Sequence, residues 1–183
     1  MIQYEDIYEK VFNIPHYSVN KDRKFTCQLV HNYLTGNEKN VIDIGSGRVP
    51  VLLELIEKFP SSQIVSCDLK KFHDIEVPFR KLNLTIEKDR DELLKEFPLF
   101  DFLTCMDVLE HIEEKELVYT LKFFKGISKR HLIIVANHSD MWGGELHLIQ
   151  QPMDWWEGKF AEHFKILDKM SIHSDRAYVF HLE

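Results

Sequence analysis

No apolar run in this sequence approaches the roughly 20 residues that span a bilayer, so no membrane insertion is expected. Cysteine is sparse. Cys27, Cys67 and Cys105 are odd in number and lack metal-type CxxC spacing, which argues against a disulfide framework and fits a reducing cytoplasm. Basic charge is in deficit, since 23 Lys and Arg face 30 Asp and Glu, for a formal charge of -7. A sequence-independent grip on extended nucleic acid is therefore not expected. Lys70-Lys71, Arg80-Lys81 and Lys129-Arg130 are separate pairs that a solvated face explains. The opening residues Met1-Ile2-Gln3-Tyr4-Glu5-Asp6 are acidic where a secretory signal is basic, so the expected location is cytoplasmic. Internal repeats and Pro/Gly-rich linkers are absent, and nothing argues for a second domain.

What is present is a length of 183 residues, 44% of them hydrophobic, enough for one core and too few for two ordinary enzyme domains. Residues 3–13 and 20–34 carry apolar side chains at helical spacing and read as a lid within 1–36. From 37 to 183 the pattern is a core of alternating strands and helices. Strand-like runs occur at Val41-Ile44, Gln63-Cys67, Phe79-Leu84, Phe100-Met106 and His131-Ala136, with helices at 49–59, 86–96 and 113–126 between them. Such alternation implies βα crossovers and a mostly parallel sheet. The tail breaks the pattern: Phe164-Ile172 and Ala177-Leu182 are joined only by His173-Ser174-Asp175, which predicts an antiparallel hairpin.

Asn40-Val41-Ile42-Asp43-Ile44-Gly45-Ser46-Gly47 sets a strand before a small-residue turn and an amphipathic helix. Glycines there let the backbone approach a ligand with no Cβ in the way, although a plain tight turn would also explain them. Two acids add weight: Asp43 precedes the first glycine, and Asp68 closes the next strand, where the ribose of a bound nucleoside would lie. Two acids facing a ligand suit a positively charged cofactor without phosphates. Arg48-Val49-Pro50 stands where a dinucleotide fingerprint needs its third glycine, and the lysine and Ser/Thr of a P-loop are missing.

On Val41-Ile42-Asp43-Ile44-Gly45-Ser46-Gly47 and Asp68 the chain resembles the class I S-adenosylmethionine-dependent methyltransferases of the small-molecule and glycan type. The resemblance implies an α/β, Rossmann-like, doubly wound sheet of seven strands, mostly parallel, with the C-terminal antiparallel hairpin and N-terminal lid helices. It implies S-adenosylmethionine as cofactor, held by Asp43, Gly45, Ser46 and Gly47 at its amino-acid part and by Asp68 and Leu69 at the ribose, with Asp107 also among the cofactor-binding residues. Asn83 and Leu84 would meet adenine, a role that competes with a plain surface position at a strand end.

The likeness extends to Phe100-Asp101 at the start of a strand and Asp107-Val108-Leu109-Glu110-His111 at its exit, which lines the crevice of a parallel sheet. Three roles remain open for Glu110 and His111. His111 would act as general base during methyl transfer; or Asp107, Glu110 and His111, closed by His147 or His138, would ligate a divalent metal, as a similar acid-x-x-Glu-His cluster does in some quinone-pathway and small-RNA 2'-O-methyltransferases; or the pair would cap the following helix. Beyond the fifth strand, residues 137–157 hold His138, Trp142, His147 and the stretch Pro152-Met153-Asp154-Trp155-Trp156. His138 and His147 are candidate functional groups there, while packing explains at least one of the adjacent tryptophans.

The function expected is methylation of a small-molecule oxygen, with a sugar or surface-polysaccharide precursor favoured and His111, Glu110, His147 and His138 as the catalytic candidates. The alternatives are a metal-assisted O-methyltransferase acting on a catechol-like or ribose hydroxyl pair, a cofactor-binding subunit without chemistry, and a nucleotide binder that does not methylate. Lack of an Asp/Asn-Pro-Pro-Tyr/Phe motif lowers the case for nucleobase amino methylation.

Overall fold

Short apolar runs without alternation are what strands covered on both faces require. Three of them, β1 (Val41–Ile44), β4 (Phe102–Met106) and β5 (His131–Ala136), form the middle of a seven-stranded sheet. The computed structural model describes residues 4–11, 23–48, 50–141 and 145–183. With β2 (Ile64–Asp68), β3 (Phe79–Lys81), β6 (Ile166–Ile172) and β7 (Ala177–Leu182), the strand order is β3-β2-β1-β4-β5-β7-β6. The first five strands pair in parallel, and β7 runs antiparallel to both β5 and β6. The turn between the last two places His173, Ser174 and Asp175 in the left-handed region at φ 55, 56 and 63°.

The helices are α1 (Tyr4–Val11), α2 (Arg23–Tyr33), α3 (Pro50–Lys58), α4 (Glu87–Glu96), α5 (Glu114–Ile127) and α6 (Met153–Ala161). Alternate residues of each central strand feed opposite cores. Val41, Phe102, Leu132 and Ile134 pack with Val30 of α2 and with Leu52 and Leu55 of α3. Ile42, Ile44, Leu103, Cys105 and Ile133 pack with Leu117, Leu121 and Phe124 of α5 and with Trp156 and Phe160 of α6. Each such fully buried side chain contributes about 1.5–3 kcal/mol relative to exposure, and the two layers keep the sheet rigid beneath its loops. The chain winds outward from β1 to β3 and then returns to β4 on the other flank of β1. That reversal opens a crevice beyond the carboxyl ends of β1 and β4.

Several element ends differ from expectation. β3 stops at Lys81 rather than Leu84, because Asn83 Oδ1 accepts the backbone N–H and the hydroxyl of Thr85 and bends the chain into a turn. β6 begins at Ile166 rather than Phe164, whose N–H is taken by Phe160 at the end of α6. β2 begins at Ile64, after a 3-10 turn over Ser61–Gln63. The lid expectation over 12–22, the helix start at Val49, and the loop residues Trp142, Gly143 and Gly144 lie outside the described residues.

Candidate functional site

Gly45, Ser46 and Gly47 leave β1 in a turn that two carbonyl bonds hold to the neighbouring strand, with Gly45 N–H and Ser46 N–H both donating to Cys67 O at 2.8 and 3.1 Å. Gly45 sits at φ 76° and Gly47 at φ 48°, a region in which an L side chain costs roughly 1–2 kcal/mol. At Gly45 the space is also taken. A Cβ there would stand 2.1 Å from Val108 Cγ2, so the glycine is required by the exit turn of β4 and not only by close approach of a ligand. The Asp43–Gly47 and Asp107–His111 segments are thereby locked to each other across the β1/β4 pair.

Asp68 is part of the same construction. Its Oδ2 accepts Gly47 N–H at 2.8 Å and its Oδ1 accepts Leu69 N–H at 2.7 Å. Each oxygen retains a second lone pair. Enclosure raises the Asp68 carboxyl to about 6 although both amides pull the other way. Asp43 is buried, with Oδ1 accepting the Thr104 hydroxyl at 2.6 Å and Oδ2 left without a partner. Burial pushes it up to about 7, with the Thr104 bond opposing and the charge of Asp68 adding. The buried Ser46 hydroxyl is likewise unpartnered. Buried polar atoms without partners cost free energy until something bonds them. Two crowded carboxylates and a lone hydroxyl suit a ligand bearing an ammonium or sulfonium group, and they would repel a pyrophosphate. Thr104, facing Asp43 across the β1/β4 register, is a contributor that the sequence motif alone did not single out.

The adenine expectation meets a different local structure. Asn83 Oδ1 is engaged by Thr85, and Leu84 is buried with its carbonyl accepting the Arg90 guanidinium. Contact of Asn83 Oδ1 with an adenine amine would have to share that oxygen.

On the other side of the crevice, β4 ends at Met106, and Asp107 just beyond it adopts φ 54° and is exposed. The next residues wind into a 3-10 turn, Leu109–His111, that drops Glu110 into the interior. Glu110 is fully buried; its Oε1 accepts Ala136 N–H at 2.9 Å from the end of β5, and its Oε2 has no partner. Glu110 therefore braces two strands and does not cap α5, where no side chain caps the first turn. Burial, with the charge of Asp107 adding, holds its carboxyl well above the usual range. A buried carboxylate with one idle oxygen is either protonated or waiting for a cation.

Two imidazoles converge on it. Glu110, His111 and His147 each place a ligand atom within 4.8 Å of the others, whereas Asp107 and His138 are not in that cluster. One carboxylate and two imidazoles gathered in this way are a donor set that could hold a divalent cation. His111 Nδ1 meets Leu146 O at 3.0 Å, and His147 Nδ1 meets His138 O at 2.5 Å. A carbonyl oxygen only accepts, so both protons sit on Nδ1 and both Nε2 atoms carry lone pairs. Burial, with the neighbouring His147 adding, lowers His111 to about 4. His138 enters through its carbonyl, with its ring 4.9 Å from that of His147. Asp140 brings a carboxylate oxygen to 3.9 Å from His147 Nε2.

The lid helix reaches both halves of the site. Tyr8 of α1 places its hydroxyl 3.1 Å from His111 Nε2, and the neighbouring Glu9 pairs with Lys70 beyond β2 at 2.7 Å. α1 thus lies across the crevice from the exit of β2 to the exit of β4. Neither Tyr8 nor Glu145, whose carboxylate accepts the Asp140 and His147 amides, carries a local motif that would have marked it in the sequence.

No family model matches the sequence, and no curated protein does. Solved structures do. A methyltransferase from Anabaena variabilis, described as dependent on S-adenosylmethionine, superposes with a TM-score of 0.69 at 12% identity, over 98% of this chain and 93% of that one. The fold is that of the S-adenosylmethionine-dependent methyltransferases. An O-methyltransferase family protein from Burkholderia thailandensis gives 0.63 at 18% identity over 88% of this chain, which spans only 57% of its length. The N-terminal domain of EvdMO1, solved with S-adenosylhomocysteine and D-fucose, gives 0.60 at 10% identity over 100% of this chain and 96% of that one. Among the described residues no helix is long and apolar enough to cross a membrane.

Proposed function

We propose that the protein transfers a methyl group from S-adenosylmethionine to a hydroxyl oxygen of a small acceptor, with a divalent cation held by Glu110, His111 and His147. The observation that carries this reading is the convergence of those three side chains beside a glycine loop whose partnerless oxygens, Asp43 Oδ2 and Ser46 Oγ, suit a cationic cofactor. Asp43, Ser46 and the loop amides would hold the amino-acid part, Asp68 and Leu69 the ribose, and Asn83 and Leu84 the adenine edge. The cofactor supplies an electrophilic methyl group and the cation supplies Lewis acidity that eases loss of a hydroxyl proton. The chain's own part is alignment and water exclusion, for the O–C bond forms in line as the C–S bond breaks.

The depressed basicity of His111 supports the cation-ligand reading among the roles left open for it. An imidazole lowered to about 4 is a poor general base at neutral pH, because efficiency is greatest when the base titrates near the working pH. A neutral ring with Nε2 free of hydrogen is what cation ligation requires. Two nitrogens and one carboxylate suit manganese, cobalt, iron or zinc better than magnesium or calcium.

A sugar or glycan precursor is the acceptor class proposed. Neighbouring hydroxyls can share a cation that keeps open positions, and a protein of the same fold was solved with D-fucose. The test is methyl transfer from labelled S-adenosylmethionine to a panel of sugars, nucleosides and catechols, with the metal first stripped by chelator. Activity should fall at least a hundredfold, about 3 kcal/mol of barrier, and return with Mn2+ or Co2+. Activity indifferent to chelator would reinstate His111 as base; absence of S-adenosylmethionine binding by calorimetry would remove methyl transfer altogether.

A further inference from the structure

His111 and His147 lie on different elements, yet one loop sets the protonation pattern of both. Its two carbonyls, His138 O and Leu146 O, accept the two Nδ1 protons. Those carbonyls point inward because the loop is drawn closed on Glu145. Glu145 Oε1 accepts Asp140 N–H at 2.9 Å and His147 N–H at 3.0 Å, and Oε2 accepts the Ser139 hydroxyl. A backbone bond from Leu146 N–H to Asp140 O, 2.8 Å, closes the same ring. Glu145 thus gathers the residues beside His138 and those beside Leu146 and His147.

We infer that Glu145 is a positioning residue, a clasp whose carboxylate holds His111 and His147 in the Nδ1–H form so that both Nε2 lone pairs face Glu110. The alternative form of His147 is at hand: Asp140 stands 3.9 Å from Nε2, and with the clasp released a proton on Nε2 would be drawn toward that carboxylate. For His111 the competing partner is the Tyr8 hydroxyl, which reaches either ring nitrogen at 3.1 Å. Setting the hydrogen bond of the distal nitrogen is how outer groups hold an imidazole ready for a cation. The consequence for cation affinity rests on the function proposed above. The consequence for the tautomers does not.

The experiment compares the full chain with Glu145→Ala and Glu145→Gln. In nitrogen-15 spectra recorded at pH 8.5 without added metal, where the imidazoles are neutral, the wild-type His111 and His147 should both show the Nδ1–H pattern. Glu145→Ala should shift His147 toward Nε2–H, and Glu145→Gln, which keeps one acceptor oxygen for the Asp140 and His147 amides, should preserve most of the wild-type pattern. Titrated with Mn2+ or Co2+, Glu145→Ala should bind about 10–100-fold more weakly, with S-adenosylhomocysteine affinity unchanged. Wild-type tautomers and undiminished cation affinity in Glu145→Ala would overturn the clasp. If neither protein binds a cation while Glu145→Ala still loses the Nδ1–H form, the cation reading fails and the clasp stands.

Discussion

The two halves of the crevice are built from different materials. Around Gly45 the contacts are made by main-chain amides of adjacent residues and by two carboxylates at strand ends, Asp43 and Asp68. Around His111 they are made by side chains separated by long stretches of chain, with Glu110 and His111 meeting His147 and, through α1, Tyr8. A site made of backbone tolerates little change in its own residues but needs few of them. A site assembled from distant side chains depends on loops to bring those groups together, and its parts are individually replaceable. The cofactor half should accordingly fail by collapse and the acceptor half by degrees.

The largest effect should come from Gly45→Ala. The new Cβ meets Val108 Cγ2 in a backbone region disfavoured for alanine, so strain and overpacking together should cost about 3 kcal/mol or more. Urea unfolding reads the loss, and S-adenosylhomocysteine binding should fall more than a hundredfold. The double variant Gly45→Ala with Val108→Ala should recover the overpacking share and leave the strain. Simple additivity would break the claim that the two motifs are packed as one unit.

A smaller effect should follow from pH. Asp43 is raised from 3.8 to about 7 in the ligand-free fold, so between those values the folded protein holds a proton that the unfolded chain has lost. This group therefore makes the ligand-free protein less stable as pH rises through that window. Binding of a cationic cofactor has the opposite sign, because it favours the ionised carboxylate. Affinity for S-adenosylmethionine should rise about tenfold from pH 5.5 to 7.5 in calorimetry, and Asp43→Asn should flatten that rise. An unchanged slope in Asp43→Asn would locate the proton elsewhere.

The smallest effect should be that of Tyr8→Phe, which removes one hydroxyl from His111 Nε2 while keeping the ring of the lid. Cation affinity should increase two- to fivefold, about 0.4–1 kcal/mol, since the phenol no longer competes for that lone pair. A fall in cation affinity would show that Tyr8 supports the cluster instead.

The same contrast separates what was legible in the sequence from what was not. The sheet was legible because Val41–Ile44, Ile64–Asp68, Phe102–Met106 and His131–Ala136 are short apolar runs with crossovers between them, and its doubly wound order was what the family resemblance implied. The glycine loop and Asp68 were legible because strand ends in a parallel sheet have known neighbours. At the other half, His111 and His147 were marked as candidates individually, but neither their shared focus on Glu110 nor the displacement of Asp107 and His138 from it has any local signature. Both depend on the depth to which the 3-10 turn lowers Glu110 and on the closure of a loop through Glu145, which are tertiary facts. Asn83 shows the reverse failure. A motif position marked it for a ligand, but a turn bond to Thr85 that no motif announces has claimed its side-chain oxygen.

Main-chain carbonyls, rather than side chains, steer the two imidazoles, and this separates two kinds of evolutionary pressure on one loop. Carbonyl groups are the same whatever residue carries them, so the exposed side chains of Met141 and Leu148, 66% and 43% accessible, can drift without altering the protonation of His111 or His147. The sequence of that loop surface can then vary among descendants of such a chain while the two imidazoles stay set, and a library randomised at those two positions should leave the Nδ1–H pattern of both intact.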